Sequence, residues 1–177
     1  MTEKKLVDSN EFSRIIERLC SEILERHSEG DIDLVGIQTR GVYIAKRIKV
    51  LLEERLNKEI NMGTVDITFY RDDLMKLYEQ PEVKETDIPF SVEDRKIILV
   101  DDVIFTGRTI RCAIDVLLDY GRPKKIELLV MVDRGHRELP IHPDYFGRKI
   151  PTSRDEIVDV RVKEIDGEDS IILRKKS

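Results

Sequence analysis

Residues 97–109 read Ile-Ile-Leu-Val-Asp-Asp-Val-Ile-Phe-Thr-Gly-Arg-Thr. An apolar run of buried-strand type, Ile97 to Val100, delivers two adjacent carboxylates, Asp101 and Asp102. A short turn from Phe105 to Arg108 follows, and a helical pattern starts at Thr109. A helix N-terminus offers unpaired backbone N–H groups and the positive end of a dipole, so an anion sits there readily. Gly107 permits backbone geometry that a Cβ resists, and Thr106 and Thr109 add hydroxyl donors for a phosphate oxygen. Ionised carboxylates only accept, so Asp101 and Asp102 suit ribose hydroxyls or, through water, a Mg²⁺ ion. A ribose 5-phosphate satisfies both ends of this segment.

A second candidate segment lies upstream. Leu34 to Ile37 reads as a buried strand, and Gly41 opens a helical pattern running to about Leu56. Backbone N–H groups across Gln38, Thr39, Arg40 and Gly41, with the Arg40 guanidinium as a fork of charged donors, suit a pyrophosphate. Other phosphate-binding patterns are missing. The chain has no G-x-x-x-x-G-K-[ST] run and no G-x-G-x-x-G after a strand, which argues against a nucleoside triphosphatase or a dinucleotide dehydrogenase. An acidic pair capping an ordinary strand-to-helix turn is the competing reading, and the Thr-Gly-x-Thr run behind the pair counts against it.

These segments must be positioned by a fold. At 177 residues the chain has the length of one domain with a substantial core. Charged residues make up 38% and aromatics 6%, with no Trp, which describes a highly charged globule. No apolar run approaches membrane-spanning length and no signal-peptide pattern is present, so a cytoplasmic location is expected. The lone cysteines, Cys20 and Cys112, fit neither a disulfide framework nor a metal spacing. A net charge of −5 argues against nucleic-acid binding driven by global charge, though not against a local basic patch.

The periodicity predicts a helix from about Asn10 to His27, capped by Ser9, with Ile15, Ile16, Leu19, Ile23 and Leu24 on one face and Gly30 as its stop. It predicts strands at Thr64–Tyr70, Ile97–Val100 and Ile126–Val132, a helix at Thr109–Tyr120, and a hairpin from Val158–Val162 and Ser170–Leu173. Strands alternating with helices give a parallel α/β sheet, whose ligands bind at the carboxyl ends of the strands. The residues after those ends are Gln38, Arg71, Asp101 and Asp133.

The 101–109 segment resembles the phosphoribosyl-pyrophosphate (PRPP) signature of type I phosphoribosyltransferases. Further segments narrow the likeness: Gly36-Ile-Gln-Thr-Arg-Gly41, Asp66-Ile-Thr-Phe-Tyr-Arg-Asp-Asp-Leu74, Val132-Asp-Arg-Gly-His-Arg-Glu-Leu-Pro-Ile141 and Ile150-Pro-Thr-Ser-Arg154. In that order and spacing, over nearly the whole chain, they resemble the family of pyrimidine-operon attenuation regulators that double as uracil phosphoribosyltransferases. The resemblance implies the type I phosphoribosyltransferase fold, a mostly parallel central sheet flanked by helices with a small C-terminal hood. It implies one domain over 1–177, with the hood near 134–156 and a flexible catalytic loop near 70–87. The implied reaction is uracil plus PRPP giving UMP and diphosphate.

In that reading Asp101, Asp102, Arg40 and the loop residue Arg71 are catalytic. Substrate is held by Thr39, Arg40, Gly41, Asp101, Asp102, Val103, Ile104, Phe105, Thr106, Gly107, Arg108, Thr109, Val132, Asp133 and Arg134. Mg²⁺ arrives with PRPP and meets Asp101 and Asp102. The family's pyrophosphate loop often carries a non-proline cis peptide bond, expected here at Thr39–Arg40. Phe105 stands where the close family usually has Tyr, so it receives no acid–base role.

The resemblance also implies a regulator that binds the pyr operon leader mRNA when UMP or UTP is abundant, and a homodimer that could assemble further. Its RNA contacts would be Arg18, Arg26, His136, Arg137 and Arg154. Glu17 and Ser21 replace a hydroxyl residue and a histidine common in the family, and His142 replaces an arginine. A carboxylate facing a phosphate repels it. The alternatives are therefore a uracil phosphoribosyltransferase without an RNA role, and a regulator that uses the fold only to sense nucleotide.

Overall fold

A computed structural model describes residues 3–68 and 85–175. Five strands form one parallel sheet: β2 (Asp33–Ile37), β3 (Met62–Val65), β4 (Lys96–Ile104), β5 (Lys125–Asp133) and β6 (Tyr145–Lys149), in the order β3-β2-β4-β5-β6. Side chains alternate across it, as strand geometry requires. Leu34, Ile98, Val100, Leu129 and Met131 face helices α1 (Ser9–Arg26) and α2 (Arg40–Leu56). Val35, Ile37, Ile97, Leu99, Leu128 and Val130 face helix α3 (Arg108–Leu118) on the other side. Both faces are covered, which is why these strands read as unbroken apolar runs.

A smaller antiparallel sheet, in the order β1-β8-β7, joins the two ends of the chain: β1 (Glu3–Val7), β8 (Ser170–Lys175) and β7 (Glu156–Arg161). It forms the hood, built from β1, β7 and β8 rather than from the 134–156 stretch expected for it. A short helix, α4 (Lys163–Asp166), links β7 to β8. The hairpin expected from periodicity is β7 with β8. Strand β1 was not expected, because Glu3-Lys-Lys offers no apolar face; it is recruited by pairing with β8. Nor was β6, whose Tyr-Phe-Gly-Arg-Lys sequence does not alternate.

Several boundaries differ from expectation. Strand β3 lies earlier than Thr64–Tyr70 and ends at Val65. Strand β4 does not stop at Val100 but carries the Asp pair inside it. The equally long β5 keeps pairing with it as far as Ile104 opposite Asp133. Helix α1 is capped by Asp8, whose Oδ1 accepts from the Glu11 N–H at 2.9 Å, a cap worth about 1 kcal/mol. Ser9, expected in that role, donates instead to the Asp169 carbonyl.

The strand order reverses between β2 and β4, and a crevice opens at such a reversal, outside the strands' carboxyl ends. Here it places the Gln38–Gly41 turn beside the Asp101–Thr109 segment.

Candidate active site

A cleft of about 290 Å³ occupies that position, lined by Ile37, Gln38, Thr39, Arg40, Asp66, Ile67, Thr68, Asp101, Asp102, Val103 and Thr109. One wall is the start of α2. A Cβ on Gly41 would collide with the Val100 carbonyl, so the missing side chain lets α2 begin directly against β4. The peptide bond Gln38–Thr39 is cis, one bond earlier than expected. The opposite wall is the Asp pair. Asp101 is buried and accepts from the Asp102 N–H at 2.9 Å, while Asp102 accepts from the Val103 N–H at 2.8 Å. Burial pushes the Asp102 carboxyl above the ordinary carboxylate range; hydrogen bonds and Arg40 offset part of that rise.

The turn after β4 is shaped by Gly107, at φ +93°, which caps α3 without a side chain of its own to bond the helix's first N–H groups. The Thr106 hydroxyl accepts from the Arg108 N–H at 3.2 Å. Ile104 is part of the core and Val132 is fully buried, so both can serve a ligand only through backbone atoms. Arg71 and most of the expected 70–87 loop fall outside the described residues.

Arg40 is not an unattached fork. Its Nε and Nη2 donate to the two oxygens of Asp166 at 3.1 and 2.8 Å. That pair raises the Arg40 guanidinium further and lowers the Asp166 carboxyl. Asp166 sits far along the chain in a polar stretch without periodicity, and no sequence signal connected it to the site. Asp66 and Thr68 were quoted within a motif but given no role. They line the cleft, with Asp66 accepting from the Thr68 N–H at 2.9 Å.

A family model described as "Phosphoribosyl transferase domain" matches residues 3–165. The Bifunctional protein PyrR of Elusimicrobium minutum is 51% identical over 176 residues, covering 99% of this chain and 98% of that protein. The protein of the same name from Clostridioides difficile is 50% identical over 177 residues, 99% of this chain and 100% of its own. The chain belongs to the PyrR family of phosphoribosyltransferase-domain proteins. The crystal structure of the hypoxanthine phosphoribosyltransferase of Trypanosoma cruzi superposes with a TM-score of 0.72, at 16% identity, covering 98% of this chain and 97% of that one. At that identity the likeness concerns the fold.

Next to the cleft, the PyrR-family segment Asp133–Ile141 lies on the turn after β4. Arg137 donates to the Phe105 carbonyl at 2.8 Å and to Asp133 at 2.7 Å. The N–H groups of Glu138 and Leu139 both donate to the Thr106 carbonyl. The Arg134 guanidinium lies over the Phe105 ring, 4.0 Å from its centroid, and the His136 ring meets Phe105 at a steep angle, 5.6 Å between centroids. Arg134 in turn donates to Thr152 and to the Ser153 and Glu156 carbonyls. A second cleft of about 370 Å³ is lined by Asp133, Arg134, His136, Arg137, His142 and Lys149, among others.

Of the other basic candidates, Arg18 and Arg26 lie on α1, against β6. Arg18 pairs with Glu22 at 2.8 Å and donates to the Gly147 carbonyl; Arg26 covers the Tyr145 ring at 4.7 Å. Arg154 is exposed in a turn. Arg55 of α2 pairs with Glu17 and donates to the Ser21 hydroxyl at 3.0 Å. Glu17 and Ser21 therefore share one arginine partner, and the Glu17 charge is paired within the chain.

Proposed function

We propose that this chain, acting as one domain over residues 1–177, makes UMP and diphosphate from uracil and PRPP. In the same reading it binds the pyr operon leader mRNA and attenuates transcription when UMP or UTP is abundant. One observation carries the enzymatic part: the Gln38–Arg40 turn, the Asp pair and Thr109 share a single cleft at the strand-order reversal.

Asp101 and Asp102 accept from the ribose hydroxyls. The N–H groups opening α3, with the hydroxyls of Thr106 and Thr109, take the 5′-phosphate. Arg40 and the N–H groups of the turn before α2 hold the pyrophosphate. Cleavage at the anomeric carbon gives the sugar oxocarbenium character and leaves charge on the departing pyrophosphate. Fixed donors and acceptors at both ends stabilise that separation without reorganising, a term worth several kcal/mol per well-placed donor. Among the described residues no cluster of three or more His, Cys, Asp or Glu forms a metal cage. The Asp pair offers two carboxylates to an ion whose other ligands come from substrate. Mg²⁺ bound this way would neutralise the leaving pyrophosphate. Phe105 has no proton to give, so its ring and its Arg134 cover shape a pyrimidine site near Asp133 and Arg134.

For the regulatory part, Arg18, Arg26, His136, Arg137 and Arg154 are the proposed RNA contacts of a cytoplasmic homodimer. No helix among the described residues is long and apolar enough to cross a membrane. The test is a paired assay on one preparation: UMP formation from uracil and PRPP, and a gel shift with the leader hairpin, with and without UMP. Both activities, with UMP tightening the shift, support the full reading. UMP formation without any shift leaves the enzyme-only alternative. A shift with UMP binding but no turnover leaves the sensor.

A further inference from the structure

We infer that Asp166, the last residue of the short helix α4 joining the two hood strands, is the positioning residue for Arg40 and so completes the pyrophosphate site. The inference rests on the reading of Arg40 as a pyrophosphate donor. Arg40 stands at the first turn of α2 and lines the ligand cleft. A guanidinium holds five N–H donors in one plane. Asp166 takes the side edge, through Nε at 3.1 Å and Nη2 at 2.8 Å, and leaves the end edge for a second acceptor. Arg40 can thus hold the carboxylate and a phosphate oxygen together.

Asp166 is the firmer partner. Its side chain is 16% exposed against 35% for Arg40, and its Oδ2 also accepts from the Val162 N–H at 2.8 Å. The loop around it is anchored by Arg47, which donates to Glu164 at 3.0 Å and Asp169 at 2.8 Å. The carboxylate is therefore fixed by the hood and α2 before any ligand arrives. A free arginine loses rotamer freedom when it grips an anion; Asp166 has already removed that freedom.

A competing effect has the opposite sign. Removing a negative charge beside an anion site should tighten pyrophosphate on electrostatics alone. Positioning predicts weaker binding.

The experiment is calorimetric titration of the full-length protein with Mg²⁺ and inorganic pyrophosphate, alongside UMP-formation kinetics. Asp166→Asn is expected to weaken pyrophosphate about tenfold and to raise the KM for PRPP in parallel, while the KM for uracil holds. In the Arg40→Ala background the same change should add nothing, because Asp166 acts only through Arg40. Should Asp166→Asn fold poorly, Arg40→Lys is the second variant. It keeps the charge but not the two-point grip, and is expected to lose a similar factor. Tighter pyrophosphate in Asp166→Asn, losses that add in the double variant, or wild-type affinity in Arg40→Lys would each overturn the inference. A loss in Arg40→Ala with none in Asp166→Asn removes the inference alone. An Arg40→Ala protein that binds pyrophosphate normally brings down the reading of Arg40 as well.

Discussion

In the strand-end cleft, chemistry-bearing groups from separate elements meet in one volume: Thr39 and Arg40 from the start of α2, Asp101 and Asp102 from β4, Thr109 from α3. Along α1 and β6 the arginines are spread out, and Arg18 and Arg26 are already in contact with the protein itself. The cleft gathers acceptors and donors that face a common space. To contact RNA as proposed, the arginines of α1 would have to exchange an internal partner. How costly that exchange is differs between them. Arg18 is 45% exposed and its pair with Glu22 is a surface ion pair, worth at most about 1 kcal/mol, so a phosphate can replace Glu22 while the guanidinium keeps the Gly147 carbonyl. Arg137 is 13% exposed and holds both Asp133 and the Phe105 carbonyl. Removing one partner of a fully buried charged pair costs about 3–5 kcal/mol, and this part-buried pair lies well above the surface value. Arg137 therefore acts first as a strut between the turn after β4 and the basic face, and Arg18 as an exchangeable surface donor.

The largest effect should come from the cleft. Asp101→Asn with Asp102→Asn is expected to lower PRPP turnover by at least about a thousandfold, with circular dichroism unchanged. Wild-type rates would end the assignment. Next, Arg137→Gln should weaken UMP by about tenfold or more and weaken the leader hairpin as well. Arg18→Gln should affect the hairpin far more than UMP. Equal profiles for the two variants, in fluorescence titrations of UMP and gel shifts of RNA, would erase the distinction drawn between them.

A pH series separates the two regions again. Burial raises the Asp102 carboxyl above the ordinary carboxylate range. Its neutral form is the one the fold favours. The stability it contributes is complete below the unfolded-state pKa and is lost as pH rises through the folded-state pKa. Ligand hydroxyls and Mg²⁺ require the carboxylate, so affinity for PRPP should climb with pH over that same window. Asp102→Asn should abolish the climb in titration calorimetry and raise the melting temperature at pH above the window. A flat wild-type profile would count against the buried carboxyl. The smallest effect belongs to the α1 face. Glu17→Gln frees Arg55 from its carboxylate partner, and should tighten the hairpin about two- to threefold and steepen the salt dependence by about one phosphate contact. An unchanged salt slope would leave Arg55 outside the RNA surface.

Much of the cleft was legible because local patterns encode it. An apolar run ending in paired carboxylates, then Thr-Gly-x-Thr and a helical period, specifies strand, acceptors, turn and anion-binding helix start within 13 residues, 97–109. The fold class followed from strands alternating with helices. Pairing partners were hidden, since backbone ladders carry no side-chain label. The sequence therefore missed β1 and β6, and it ended β4 at Val100, although β5 supports it to Ile104.

Residue types and spacing alone marked a segment suited to a phosphorylated sugar and determined the kind of sheet that carries it. Only the tertiary structure decided which charges have internal partners. Asp166 reaches Arg40 across 126 positions, Arg55 joins Glu17 to Ser21 between two helices, and Arg137 bonds the carbonyl of Phe105. Such contacts depend on where separate elements come to rest against one another. That placement is set by the packing of two apolar sheet faces and has no local period or motif to announce it.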